Sequence, residues 1–391
     1  MQGLRSRTVA RVGGLVLAAL LAGCAQTDNP LPRDGLAYYW QSVGGHLALL
    51  RDARPVDDWL ADPTTSAALA EKLLTVQRMR RFAVTELHLP DNASYTRYAQ
   101  LPRRAVVWNV VAAPPFSLTL QTWCFPVLGC VGYRGYFDEA EAEAFAHQLR
   151  QQGLEATAYP VPAYSTLGWT NWLGGDPLLS TFLGYPEGEV ARLLFHELTH
   201  QLVYVADDTT FNESLATAVE QLGGERWLPQ ASPQTQRAYA EFDARRQAFR
   251  ALTGRTRGNL KQIYASALDA HAVSATENEE SMRRQKQATM DQFRAQYQAL
   301  KAGWGGHSGY DAWVERANNA SFGVQASYDT LVPAFHVLFV KMGCRFPEFH
   351  AAVQQLATMD APARQQALQA LSPQAGSGAP PSHCPVHAPH S

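Results

Sequence analysis

Two histidines four residues apart, with a glutamate directly after the first, make up the stretch His196-Glu197-Leu198-Thr199-His200. On a helix such positions stand on one face, so both imidazoles can reach a single metal ion. Glu197 then projects beside the ion, where a carboxylate can take a proton from water. Two imidazoles and a carboxylate suit one Zn2+ ion best among the divalent metals. Hydrolytic zinc takes three protein ligands and keeps one position open, so the third ligand must come from elsewhere in the chain. Downstream, Glu213 and Glu220 each offer one. Their spacing puts them on nearly the same helix face but about 10 Å apart along the axis, so only one can reach the ion. Counting helical rise does not choose between them.

The elements that must position these groups follow from apolar periodicity. Residues 187–205 contain no proline, have their one glycine near the start, and carry Leu193, Leu194, Leu198, Leu202 and Val203 as an apolar body. This predicts a helix bearing both histidines. The chain then turns through Ala206-Asp207-Asp208-Thr209-Thr210, and a second helix is predicted from about Phe211. Upstream, three- and four-residue spacing predicts helices over 38–50 and 60–87. The Val- and Trp-rich run 104–114 reads as a strand and 129–137 as another. A helix follows with Asp138 at its N-cap and Gly153 at its end, and 154–169 returns extended. Beyond the motif, helices are predicted over 236–252, 260–301, 328–342 and 349–356. The expectation is an α+β fold, predominantly α-helical, with the motif helix flanked by a small α/β sheet region and long C-terminal helices. Residues 37–371 would form the domain, with 37–186 as its mixed α/β part and 187–371 as its helical catalytic part. Residues 372–391, rich in Pro, Gly, Ser and His, read as a flexible tail; His383, His387 and His390 could bind metal only weakly.

With 46% hydrophobic and 17% charged residues the composition is that of a globular protein. The N-terminus has Arg5, Arg7 and Arg11 ahead of an uncharged run over 12–23, too short to span a bilayer and built like a secretory signal. Leu21-Ala22-Gly23-Cys24 resembles the bacterial lipoprotein processing box, which implies that residues 1–23 are removed, Cys24 is lipidated and 24–36 form a tether. Several acyl chains would hold the protein stably on a membrane. Ala25 after the cysteine implies the outer membrane, with the protein facing the periplasm. Without residues 1–23, Lys and Arg fall from 33 to 30 against 35 acids, a net −5, which argues against a nucleic-acid partner.

An exported chain meets an oxidising compartment, so Cys124, Cys130, Cys344 and Cys384 become disulfide candidates. Four cysteines allow three connectivities. Pro126 and Gly129 suit a tight loop, which favours Cys124–Cys130 and leaves Cys344–Cys384.

The pair of segments "HELTH" and "NESLA" resembles the Glu-zincin peptidases, whose second helix carries the third zinc ligand in an Asn-Glu-x-x-Ala/Ser setting. The resemblance implies Glu213 as that ligand, with Glu220 the alternative: His200 and Glu220 have the spacing of thermolysin-like members, and Thr210-x-x-Glu213 also matches a helix-capping box. Wider blocks, among them "AYSTLGW", "DPLLSTFL" and "NNASFGVQASYDTLVPAF", resemble a family of predicted bacterial lipoprotein aminopeptidases over residues 37–356. The Gly-x-Met-x-Asn strand of classical zinc aminopeptidases has no counterpart here. By its place before the motif, the segment around Thr166, Leu167 and Gly168 is expected to be the substrate-lining edge.

These readings imply zinc-dependent hydrolysis of a peptide substrate by an aminopeptidase of the cell envelope. Glu197 would be general base and then proton donor to the leaving amine. Tyr328 is the candidate oxyanion donor, with Tyr204 and His307 behind it. The alternatives are a non-catalytic envelope lipoprotein with a structural metal site, and a zinc hydrolase of a non-peptide amide. Oligomeric state is not legible.

Overall fold

Helix α1 (Gly35–Asp52) opens the part of the chain that the computed structural model describes, which comprises residues 35–125, 129–163, 165–167, 174–266, 275–371 and 384. Cys24 and Gly168 therefore lie outside the described residues, as does the tail apart from Cys384. Residues 1–44 and 45–391 form separate units, and every element after α1 belongs to the second. A short strand β1 (Arg54–Pro55) leads into α2 (Val56–Ala61) and α3 (Ala67–Thr85). The single helix expected over 60–87 is broken because Pro63 forces Asp62 into an extended conformation. Ser66 then restarts the helix, its side chain accepting from the Leu69 amide.

Two small sheets follow. Strand β2 (Arg97–Ala99) pairs with β1 antiparallel and with β8 (Leu178–Leu179) parallel. Strand β3 (Val107–Ala113) is buried throughout and lies between β6 (Arg134–Tyr136) and β7 (Glu155–Val161), antiparallel to both. The expected strand over 129–137 is thus two pieces: β5 (Gly129–Val131) pairs with β4 (Trp123–Phe125) in a hairpin, and β6 joins the larger sheet. Helix α4 (Glu139–Gln151) starts at the Asp138 N-cap and buries Ala142, Ala146 and Leu149 against β3 and β7. Helix α11 (Asn319–Asp329) covers the other side of β3, which is why residues on both faces of that strand are buried. The extended segment expected over 154–169 stops at Val161, since Pro162 has no N–H to continue a ladder.

The short helix α5 (Ser180–Leu183) leads through Pro186 into α6 (Glu187–Leu202), and a loop over 203–208 returns the chain as α7 (Thr209–Trp227). These two helices run antiparallel and pack closely at Gly223 and Gly224. A Cβ at Gly223 would come within 2.8 Å of the Phe195 ring, and one at Gly224 within 3.0 Å of the Arg192 side chain. Their apolar faces enter the main core with Leu73, Phe82, Leu198, Phe211, Phe335 and Phe349.

Helix α8 (Pro233–Ser266) is continuous, whereas the spacing of apolar residues predicts a break near 252–260. Gly254 and Gly258 there face open space, and each costs the helix only about 1 kcal/mol relative to alanine. With α9 (Ala275–Gly303) it encloses a second core around Phe249, Leu252, Leu260, Phe293 and Tyr297. Then come α10 (Asp311–Arg316), α11, α12 (Val332–Lys341), α13 (Phe346–Thr358) and α14 (Ala361–Leu371). Tyr328, expected to open a helix, instead closes α11. The new helix begins at Val332, where Pro333 in the first turn loses no hydrogen bond. Disulfides join Cys124 to Cys130 and Cys344 to Cys384. The architecture is a predominantly helical α+β fold. Among the described residues no helix is long and apolar enough to cross a membrane.

Candidate metal centre

Helical spacing sets His196 and His200 on the face of α6 turned to α7, and both are buried, with Glu197 between them also buried. From α7, Glu213 reaches the same point. Its Oε2 lies 3.3 Å from His196 Nε2 and 3.7 Å from His200 Nε2, and the two Nε2 atoms are 3.2 Å apart. Tetrahedral zinc with bonds of about 2.0–2.2 Å needs ligand atoms about 3.3–3.5 Å apart. The three atoms converge at that spacing, so the donor set fits a zinc ion in both chemistry and size, and this buried group could hold a metal.

Local chemistry explains why Glu213 arrives there. Asp208, not Thr210, caps α7, its side chain accepting from the Phe211 amide, so Glu213 is free of the capping role its sequence allowed. Asn212 clasps the interhelical loop in two directions. Its Oδ1 accepts from the Val205 amide at 2.8 Å, and its Nδ2 donates to the Val205 carbonyl at 2.7 Å. Ser214 ties the same turn to α11, donating to the Ser327 carbonyl at 2.9 Å.

Glu220 lies one layer further out. Its Oε2 is 3.0 Å from His196 Nδ1, the nitrogen turned away from Glu213, and its Oε1 accepts from Arg192 Nη2 at 2.5 Å. Arg192 is 4% exposed and also donates to the Tyr239 hydroxyl at 2.6 Å, with Asp243 3.4 Å away, so the chain of contacts runs into α8. Burial alone would raise the Glu220 pKa, but Arg192 and His196 outweigh it and hold it at about 2. Burial opposes charge on His196 too, yet its bonds to Glu213 and Glu220 hold its pKa well above the ordinary value. At Glu213 burial is likewise overcome, by His200 and His196, which hold the carboxyl far below the usual range. Glu197 differs: burial raises its pKa, the two histidines oppose this, and no described residue hydrogen-bonds it. A carboxylate left without a protein partner beside a metal site is available to water.

A cleft of about 370 Å³ opens beside His200, lined by Leu167, Gln201, Leu202, Val203, Tyr204 and Ala206 as well. Leu167 lines this cleft from a turn, and neither it nor Thr166 belongs to a strand. Tyr204 lies in the cleft wall. The Tyr328 ring stacks near the His196 ring, centroids 6.2 Å apart and planes at 22°. With Tyr133, Tyr159 and Glu213 it lines a smaller cavity, and burial drives the Tyr328 pKa well up, keeping its hydroxyl protonated. His307 packs instead near Tyr310, 6.3 Å between ring centres, at the α8–α9 core. Sequence reasoning missed Arg192, although a charge four residues before His196 on a buried face signals a partner. It also missed Tyr133 and Tyr159, for which composition holds no signal.

The model of a family described as "Putative aminopeptidase" matches residues 37–368, most of the described fold and all of the centre. The chain belongs to this family. No curated protein and no solved structure matches it. A member of this family would act on peptide substrates.

Proposed function

We propose that this member of the aminopeptidase family is a zinc metallopeptidase of the bacterial cell envelope, anchored through lipid on Cys24 and facing the periplasm from the outer membrane. The observation that carries the catalytic part is the convergence of His196 Nε2, His200 Nε2 and Glu213 Oε2 within 4.8 Å of one another, with Glu197 beside them. These three atoms would hold one Zn2+ ion. Zinc held there supplies Lewis acidity towards a peptide carbonyl and acidifies water.

The chain's own residues do the rest. Glu197, raised in pKa by burial and hydrogen-bonded to no described residue, accepts the proton of the attacking water and returns it to the leaving amine. The Tyr328 hydroxyl donates to the oxygen on which charge develops. Glu220 accepts from His196 Nδ1–H, which fixes the tautomer that leaves Nε2 free to ligate. The cleft beside His200 receives the peptide.

The test is Glu197→Gln. Peptide hydrolysis should fall about 10²–10⁴-fold while zinc per chain stays at the wild-type value. Retained hydrolysis would remove Glu197 from the reaction. The anchor has its own test, since the mature protein should begin at Cys24 and carry acyl mass there.

A further inference from the structure

Arg192 lies four residues before His196, and Gly188 four before that, so the three stand in one row along α6. Facing it is a second row on α8, made of Tyr239, Asp243 and Arg246 at helical spacing. The rows meet where the Tyr239 ring packs on Gly188; a Cβ there would overlap the ring, so the approach needs glycine. Beside that contact the polar groups join. Arg192 Nη1 donates to the Tyr239 hydroxyl at 2.6 Å and stands 3.4 Å from Asp243 Oδ1, while its Nη2 donates to Glu220 Oε1 at 2.5 Å. Arg246 reaches the same phenol at 3.3 Å, binds Asp243 Oδ1, and donates to Glu189 Oε1 at 2.7 Å. Two guanidiniums, three carboxylates and one phenol thus form a connected network, mostly buried. It ends at His196, whose Nδ1 lies 3.0 Å from Glu220 Oε2.

We propose that Asp243 and Tyr239 are positioning residues for the metal centre, setting its affinity from α8 through Arg192, Glu220 and His196. The inference rests on the metal-site reading above and extends that site to a third helix. Arg192 has one charge to share. Shared with Asp243, it neutralises Glu220 only in part, and Glu220 keeps the charge that attracts His196 Nδ1–H. A stronger acceptor at Nδ1 makes Nε2 a better metal ligand. Without Asp243 the whole guanidinium charge falls on Glu220, and the imidazole loses basicity. Such polarisation along a chain of contacts is strongest where water is excluded, and Arg192 is 4% exposed. Tyr239 acts by place and not by charge. Burial pushes its pKa up, so the hydroxyl stays neutral. The guanidinium is a rigid fork, so an acceptor that fixes Nη1 also aims Nη2 at Glu220.

The test measures the zinc dissociation constant of the full chain by competition with a chelator, together with the unfolding midpoint of the zinc-free chain. Asp243→Asn and Tyr239→Phe should each weaken zinc about three- to tenfold, less than the loss of a direct outer-shell partner. A double-mutant cycle with Glu220→Ala then separates relay from general support. With Glu220 gone, either α8 substitution should weaken zinc less than about twofold further, because the path to His196 is already cut. A merely structural role predicts the same loss in both backgrounds and a lowered midpoint. Tyr239→Phe removes one oxygen and keeps the ring on Gly188, so it decides the matter where Asp243→Asn fails to fold. Zinc held at wild-type strength by both single variants, or an equal loss with and without Glu220, overturns the proposal and leaves the metal site standing. A wild type that binds no zinc overturns the metal-site reading, and this proposal with it.

Discussion

Glu220 Oε2 stands 3.0 Å from His196 Nδ1, on the side of the imidazole away from Glu213. One ring thus joins two carboxylates with different tasks. Glu213→Ala should abolish stoichiometric zinc, because it removes one of the three atoms proposed to hold the ion. Glu220→Ala should keep the ion but weaken its binding about 10–100-fold, the usual cost of losing an outer-shell partner. Elemental analysis with a competing chelator separates the two, and zinc lost with Glu220 but kept with Glu213 would reverse the assignment.

Arg192 carries the outer layer. Replacing it by methionine takes the guanidinium from the half-buried Glu220 carboxylate and leaves it only His196 as partner, at a cost of about 1–3 kcal/mol. Denaturant unfolding should show a midpoint lowered accordingly. A change below about 1 kcal/mol would mean that Tyr239 and solvent compensate.

Tyr328→Phe keeps the ring beside His196 and removes only the hydroxyl. Zinc binding should be unaffected. Hydrolysis should fall about 10²–10³-fold, the cost of one oxyanion donor. A loss under threefold would return Tyr328 to a packing role and make Tyr204, in the cleft wall, the next residue to change.

His350 reports on acid stability. Burial lowers its pKa to about 4 from 6.5, although its Nε2–H donates to the Leu87 carbonyl at 2.8 Å. The unfolded chain takes up this proton below pH 6.5 and the folded chain only near 4. Stability therefore falls as pH drops through that window, by roughly 3 kcal/mol at its lower end. Unfolding of wild type against His350→Gln at pH 7, 5.5 and 4.5 isolates the effect; parallel curves would refute it.

Much of this was legible because it is local. The identity of α6 follows from a proline-free run with apolar residues at helical spacing, and the common face of His196 and His200 from the helical repeat alone. Asp138 caps α4, and Gly153 adopts the positive φ that ends it. The break at Pro63 was equally local and was missed because the apolar spacing on either side continued through it. The continuity of α8 was missed for the opposite reason: the apolar spacing lapses between Leu252 and Leu260, while burial of both against α9 carries the helix through in the fold.

What the sequence by itself determined is a helix presenting two imidazoles and a carboxylate, and an α+β chain dominated by helices. Which glutamate faces the imidazoles was decided only by tertiary structure. Glu213 and Glu220 share a face of α7, and nothing local ranks them. The antiparallel crossing of α6 and α7, brought close at Gly223 and Gly224 and set in register by Asn212 on Val205, puts Glu213 level with both Nε2 atoms and Glu220 behind His196. The same holds for Arg192, Tyr239 and Asp243, on separate helices and joined only once those helices have packed. Periodicity acts over a few residues, whereas the distance between ligand atoms depends on how whole elements cross.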